Sequence, residues 1–242
     1  MKTVLVSGGS RGIGRAIVKK AAKAGYAVAF TYSRSDGEAA ELVAELAKDG
    51  VMVSAYKADN ADGDALKRVA QEVAANCGGI YPLVSNAAVS RIAPLIDFSD
   101  EEISRMLAVN LEGAIKLTKA VCPYMTSVTE GKIVNVSSVW GVCGASCESV
   151  YSATKGGLIA FTKAMAKELA PSKITVNCVC PGVTDTDMNA HLSVEERRAL
   201  KEQIPLGRFC TPGEIADAVM FFINGADCVT GQVICVDGGF IV

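Results

Sequence analysis

The chain has 242 residues, half of them hydrophobic and 21% charged. That is enough apolar material for one large core, and it excludes a disordered or low-complexity chain. Its 24 Lys+Arg against 26 Asp+Glu give a net charge of −2, so the basic excess that marks a nucleic-acid-binding domain is absent. Gly or a charged residue interrupts the apolar runs well before the roughly 20 residues that a membrane-spanning helix requires. The segment Met1-Lys2-Thr3-Val4-Leu5-Val6 leads straight into a strand pattern with no signal-peptide signature, so a cytoplasmic location is expected. Nine cysteines are an odd number. They contain no Cys-x-x-Cys and stand near no His, so no metal site is expected. They read as small hydrophobes in a reducing compartment.

In chain order, short β-branched runs alternate with amphipathic segments. Thr3–Ser7 reads as a buried strand and 12–24 as a helix closed by Gly25. A strand at Ala27–Tyr32 and a helix at Asp36–Lys48, closed by Gly50, follow. The alternation continues with a strand at 52–58, a helix at 62–76, a strand at 80–85 and one long helix at 99–125. A strand at 132–137, a helix at Ser149–Leu169, a strand at 174–179, a helix at 214–223 and a strand at 232–236 complete it. This pattern predicts right-handed βαβ units: a single α/β domain with a doubly wound parallel sheet of about seven strands and helices on both faces. The expected division is a nucleotide-binding half at 1–90 and a catalytic and substrate-binding part at 91–242. Only 182–211 breaks the rhythm, being long and more polar, and reads as a substrate loop.

Directly after the first strand stands Ser7-Gly8-Gly9-Ser10-Arg11-Gly12-Ile13-Gly14. Glycines at 8, 12 and 14 permit a tight turn and bring backbone N–H groups and a helix N-terminus close to a pyrophosphate. A dinucleotide is the expected ligand. The same residues also satisfy Gly-x-Ser-x-Gly, a hydrolase nucleophile elbow, with His191 downstream; the absence of upstream strands to build an oxyanion loop disfavours that reading. The acid that would accept from a ribose 2′-hydroxyl is missing at the end of the second strand, where Tyr32 is followed by Ser33 and Arg34. Ser33 and Arg34, with help from Arg11, suit a 2′-phosphate, so NADP(H) is expected rather than NAD(H).

Tyr151 and Lys155 lie four apart on one face of a predicted helix. Ser138 ends the preceding strand, and Asn110 lies in the long helix before it. Together with the glycine loop, these residues resemble the short-chain dehydrogenase/reductase family over nearly the whole chain. The resemblance implies a catalytic set of Asn110, Ser138, Tyr151 and Lys155. Tyr151 would exchange the proton, its pKa lowered from about 10 by the Lys155 ammonium and the nicotinamide cation. Ser138 would bond the substrate oxygen, Asn110 would hold a relay water, and Lys155 would also bind ribose hydroxyls. The family pattern further implies adenine contacts at Asp59 and Asn60, and carboxamide contacts at Val183 and Thr186. Cofactor contacts are also implied in Ser85-Asn86-Ala87-Ala88, chiefly at Asn86 and Ala87. The family's usual Asn and Gly are here Ser85 and Ala88, and the methyl of Ala88 would slightly displace the pocket.

Within the family the chain looks most like 3-oxoacyl-[acyl-carrier-protein] reductases. The basic residues by which those enzymes meet an acidic carrier are thin here, with Thr129-Glu130 and Ser172-Lys173 at the corresponding places. The stretch from Trp140-Gly141 to Cys147-Glu148 also resembles a subgroup that reduces a 5-aminopentanone on elongation factor P. There Glu148 and the Trp140 face would meet a cationic amine. The resemblance implies a homotetramer. A catalytically silent redox sensor or scaffold is the non-enzyme alternative, disfavoured by the complete Asn–Ser–Tyr–Lys set.

Overall fold

The architecture follows from strands that have no polar face. β1 (Thr3–Ser7), β5 (Gly131–Val136) and β6 (Ile174–Pro181) are buried at every residue, as strands of a parallel sheet covered on both sides must be. A computed structural model describes residues 2–190 and 192–241. In it β2 (Ala27–Tyr32), β3 (Val53–Lys57), β4 (Pro82–Ser85) and β7 (Val233–Val236) complete a seven-stranded sheet in the order β3-β2-β1-β4-β5-β6-β7. Every pairing is parallel. The strand order reverses between β1 and β4, and the crevice at the carboxyl ends of those strands is where such sheets bind ligands.

Helices α1 (Gly12–Lys23), α2 (Asp36–Lys48) and α9 (Pro212–Asn224) cover one face of the sheet. Helices α3 (Gly63–Asn76), α5 (Gly113–Val128) and α7 (Ser149–Leu169) cover the other. Their boundaries have local causes. Asp62 caps α3 by accepting from Ala65 N. Thr211 and Glu214 form a reciprocal capping box with Pro212 in the first turn of α9.

Three sequence expectations need correction. The single helix expected at 99–125 is α4 (Asp100–Leu107), a π-helical turn at Ala108–Glu112 and then α5, which runs on to Val128 despite Pro123. One inserted residue shifts the helical phase without disturbing its composition, so periodicity does not register it. The excursion at 182–211 contains α8 (Val194–Glu202), opened by a Ser193–Glu196 capping box. A short helix, α6 (Trp140–Cys143), follows β5 where no element was expected. His191, the base of the hydrolase reading, lies outside the described residues.

The sheet centre should dominate stability. Leu5 is fully buried on β1, between β2 and β4. Leu5→Ala should therefore cost about 2–5 kcal/mol, read as a fall in the denaturant midpoint with an unchanged slope.

Candidate active site

The turn between β1 and α1 is tied to the end of β4 by polar contacts. Asn86 Nδ2 donates to Ser7 O at 3.2 Å and to Gly8 O at 3.0 Å. Ser7 Oγ accepts from Asn86 N at 3.0 Å and from Ala87 N at 3.2 Å. Gly8 and Gly12 take left-handed φ values of 66° and 54°, which a side chain would strain. A Cβ on Gly14 would overlap the Gly8 carbonyl oxygen and lie 2.7 Å from Asn86 Nδ2. Arg11 occupies the N-cap of α1 without a side-chain cap bond, and Arg15 N is the first amide to reach back into the helix. The preceding N–H groups at Gly12, Ile13 and Gly14 thus remain open to an anion.

These groups open into a cleft of about 660 Å³. Its wall brings together Gly8, Ser10, Arg11, Gly12, Ile13 and Gly14 from the turn and Ser33 and Arg34 after β2. Asp59, Asn60, Asn86 and Ala87 line it after β3 and β4, and Ser138, Tyr151, Lys155 and Thr186 line the far end. The donor set suits a dinucleotide carrying phosphates: an open helix N-terminus, three guanidiniums and one ammonium border a single cleft. Arg105 on α4 also lines it and donates to Asp59 Oδ2 at 2.8 Å, while Ala61 N donates to Asp59 Oδ1. This pair holds the Asp59 carboxyl below its ordinary range, the Arg105 hydrogen bond being the main cause. Sequence reasoning missed Arg105 because only tertiary packing carries α4 to the end of β3.

Four expected site residues do not form the cleft wall: Asn110, Trp140, Glu148 and Val183. Asn110 is buried in the π turn. Its Oδ1 accepts from Val89 N at 2.8 Å, and its Nδ2 donates to Val89 O at 2.8 Å and to Thr154 Oγ1 at 3.3 Å. The side chain is thereby a brace between the β4 exit and α7, its amide bonded to Val89 O and Thr154 Oγ1. Trp140 packs edge-on against Phe240 with ring centroids 5.5 Å apart. Glu148 Oε2 accepts from Ser90 Oγ at 3.5 Å beside the cleft. Val183 O accepts from Cys210 N at 2.9 Å.

At the reacting end, Tyr151 and Lys155 are both buried. Lys155 Nζ donates to Val136 O at 2.9 Å and lies 5.6 Å from the centre of the Tyr151 ring. Burial pushes the Tyr151 phenol above its ordinary value; a hydrogen bond from Ser138 opposes the shift and the charge of Glu148 adds to it. Lys155 is not among the groups that shift it. Burial of both groups in one low-dielectric wall outweighs their separation, and it also pulls Lys155 down to about 8.

A doubly wound sheet with a glycine-rich turn at its switch point, and a buried Ser–Tyr–Lys set in the same cleft, is the architecture of a nicotinamide-type oxidoreductase. The chain belongs to the short-chain dehydrogenase/reductase family, whose short chain dehydrogenase model matches residues 2–197. It is similar to the 3-oxoacyl-[acyl-carrier-protein] reductase FabG of Aquifex aeolicus, with 42% identity over 98% of this chain and 96% of that one. It is 39% identical to the protein of the same name from Staphylococcus aureus, over 98% of this chain and 97% of that one. It is 36% identical to the uncharacterized oxidoreductase YmfI of Bacillus subtilis, over 99% and 98%. Among solved structures, a dehydrogenase/reductase from Sinorhizobium meliloti matches with a TM-score of 0.92 and 34% identity, over 100% of this chain and 95% of that one.

Gly14→Ala should weaken dinucleotide binding strongly, because the added methyl must push the turn away from Gly8 O and Asn86. Fluorescence titration with NADPH should show at least a tenfold weaker Kd in a variant whose far-ultraviolet circular dichroism is unchanged.

Proposed function

We propose that this chain is an NADPH-dependent ketone reductase acting on 3-oxoacyl groups carried by acyl carrier protein. The observation that carries the reading is that Ser138, Tyr151 and Lys155 line the same cleft as the glycine turn. The similarity to proteins named 3-oxoacyl-[acyl-carrier-protein] reductase over nearly full length supports the substrate class.

Bound NADPH supplies the hydride to the carbonyl carbon. Ser138 Oγ donates a hydrogen bond to the carbonyl oxygen and Tyr151 Oη gives that oxygen its proton. A raised phenol pKa keeps Tyr151 protonated and able to act as this acid. Lys155, anchored on Val136 O, holds the cofactor's ribose and the proton path behind the phenol. Asn110 fixes Val89 and Thr154 and so keeps the cleft wall and α7 in register. Gly8, Ser10, Arg11, Gly12, Ile13 and Gly14 cradle the pyrophosphate, while Ser33 and Arg34 take the 2′-phosphate. Asp59 and Asn60 would take the adenine, Asn86 and Ala87 would back the ribose, and Thr186 would take the carboxamide. The segment 182–211 closes over the substrate. The enzyme works as a cytoplasmic homotetramer.

A second reading is the reduction of the 5-aminopentanone group on elongation factor P. It is favoured by Glu148, whose carboxylate charge reaches Tyr151 and would attract a cationic amine, with Trp140 packed against the cluster that holds Tyr151. Lys132 gives no help to carrier docking, since its side chain is buried and bonded to Gly225 O and Asp227. Comparing kcat/KM for a 3-oxoacyl carrier-protein substrate with that for an aminoketone-modified protein decides between the two. Glu148→Gln should weaken only the second activity.

Tyr151→Phe should lower kcat by about 10²–10⁴-fold with little change in cofactor Kd; near-normal turnover would refute the assigned proton donor. Cofactor titration should show NADPH binding more tightly than NADH. Arg34→Ala should narrow that gap by removing the pairing for the 2′-phosphate.

A further inference from the structure

An ion pair stands in the wall of the cleft. Arg105 on α4 and Asp59 after β3 both line it, and the proposed reduction gives Arg105 no task. The two Asp59 oxygens are held separately. Oδ1 accepts from Ala61 N at 2.9 Å, a local turn, while Oδ2 accepts from Arg105 Nη2 at 2.8 Å, 46 residues away in sequence. The next residue is fastened to the same helical segment. Asn60 Nδ2 donates to Val109 O at 2.6 Å, and Val109 lies four residues, about one turn, beyond Arg105. Asp59 and Asn60 are thus fixed one turn apart on a single rail formed by α4 and the π turn.

The Arg105 and Asp59 side chains are 40% and 39% accessible, and an ion pair so open to water adds little to stability. What the pair fixes is direction. A carboxylate gripped at both oxygens presents its remaining lone pairs along set lines, and an ionised carboxylate only accepts hydrogen bonds. Asp59 is kept ionised by the Arg105 hydrogen bond and, more weakly, by the charge of Arg34. Arg34 stands beside it because Tyr32 and Lys57, each two residues earlier, are register partners on β2 and β3. The neighbouring Asp62 is occupied in capping α3. An acceptor held in this way favours a heterocycle edge that carries an amino group. It disfavours one with a carbonyl oxygen at the same place, where two acceptors would meet with no hydrogen between them.

We propose that Arg105 is a positioning residue for nucleobase selection: by clamping Asp59 Oδ2 it aims the carboxylate at the exocyclic amino group of an adenine and turns the cleft against the 6-oxo base hypoxanthine. Arg105 acts through Asp59 and not on a phosphate. This role rests on the cofactor reading above, which puts the adenine at Asp59.

The test is fluorescence titration of the full-length protein with two pairs of dinucleotides: NADPH against its hypoxanthine analogue, and NADH against its hypoxanthine analogue. Wild type should bind the adenine form about tenfold more tightly in each pair. In Arg105→Met, which keeps the stem and removes the donors, that ratio should fall to about threefold or less, near the ratio in Asp59→Ala. Arg105→Ala should read the same. Arg105→Lys, which restores one charge and a donor without the planar fork, should recover part of the ratio. Loss of a structural brace, or of a guanidinium that met phosphate, would weaken both base forms alike. A base ratio unmoved in Arg105→Met and Arg105→Ala therefore overturns the proposal, and so does equal binding of the two base forms by wild type. If NADPH and NADH bind equally while the adenine form is preferred in each pair and Arg105→Met erases that preference, the 2′-phosphate reading falls and the role of Arg105 stands. If neither pair binds, the cofactor reading and the role of Arg105 fall together.

Discussion

Everything at the cleft depends on one close approach, the seating of the β1–α1 turn against the end of β4. Asn86 donates both amide hydrogens to the turn, and Ser7 Oγ accepts two backbone amides in return. The turn can come this near only because Gly14 has no side chain to meet Gly8 O. Its position in turn aims the open N-terminus of α1 along the crevice where the sheet reverses direction. A Cβ on Gly12 would meet Thr186 Cγ2 at 3.5 Å, so the same turn faces the 182–211 segment across the cleft.

The opposite side of the cleft is assembled by a second set of constraints, centred on the π turn. Asn110 grips Val89 and Thr154, and Asn60 Nδ2 donates to Val109 O at 2.6 Å. The exits of β3 and β4 and the α7 helix therefore converge on five residues of irregular helix. Gly113, immediately after that turn, has no room for a side chain, because a Cβ would overlap Asn60. The π turn is thus a structural junction, consistent with the frequent occurrence of such bulges at functional sites.

The catalytic end shows what burial does to a proton-transfer pair. The sequence places Tyr151 and Lys155 one helical turn apart, which suggests that the ammonium acidifies the phenol. In the folded protein both groups are withdrawn from water, so each is shifted toward its neutral form. Spacing along a helix predicts neighbourhood, but dielectric surroundings set the direction of the shift.

How much was legible follows from the range of each signal. Local pattern and composition determined the parallel α/β class, most element positions and the glycine turn, while the family resemblance implied that Gly8, Arg34, Asp59, Ser138, Tyr151 and Lys155 share one site. Those signals are carried by residues a few positions apart, or by a motif whose geometry is nearly self-contained. The tertiary structure alone decided that Arg105 pairs with Asp59, that Asn110 spends its amide on the protein, and that Trp140 and Glu148 stand outside the cleft wall. It alone set the Sγ atoms of Cys178 and Cys180 3.9 Å apart. These relations join segments tens of residues apart through the order of strands in the sheet and one extra residue in a helix. The free energies that fix them come from packing and burial, and neither is encoded in any short stretch of sequence.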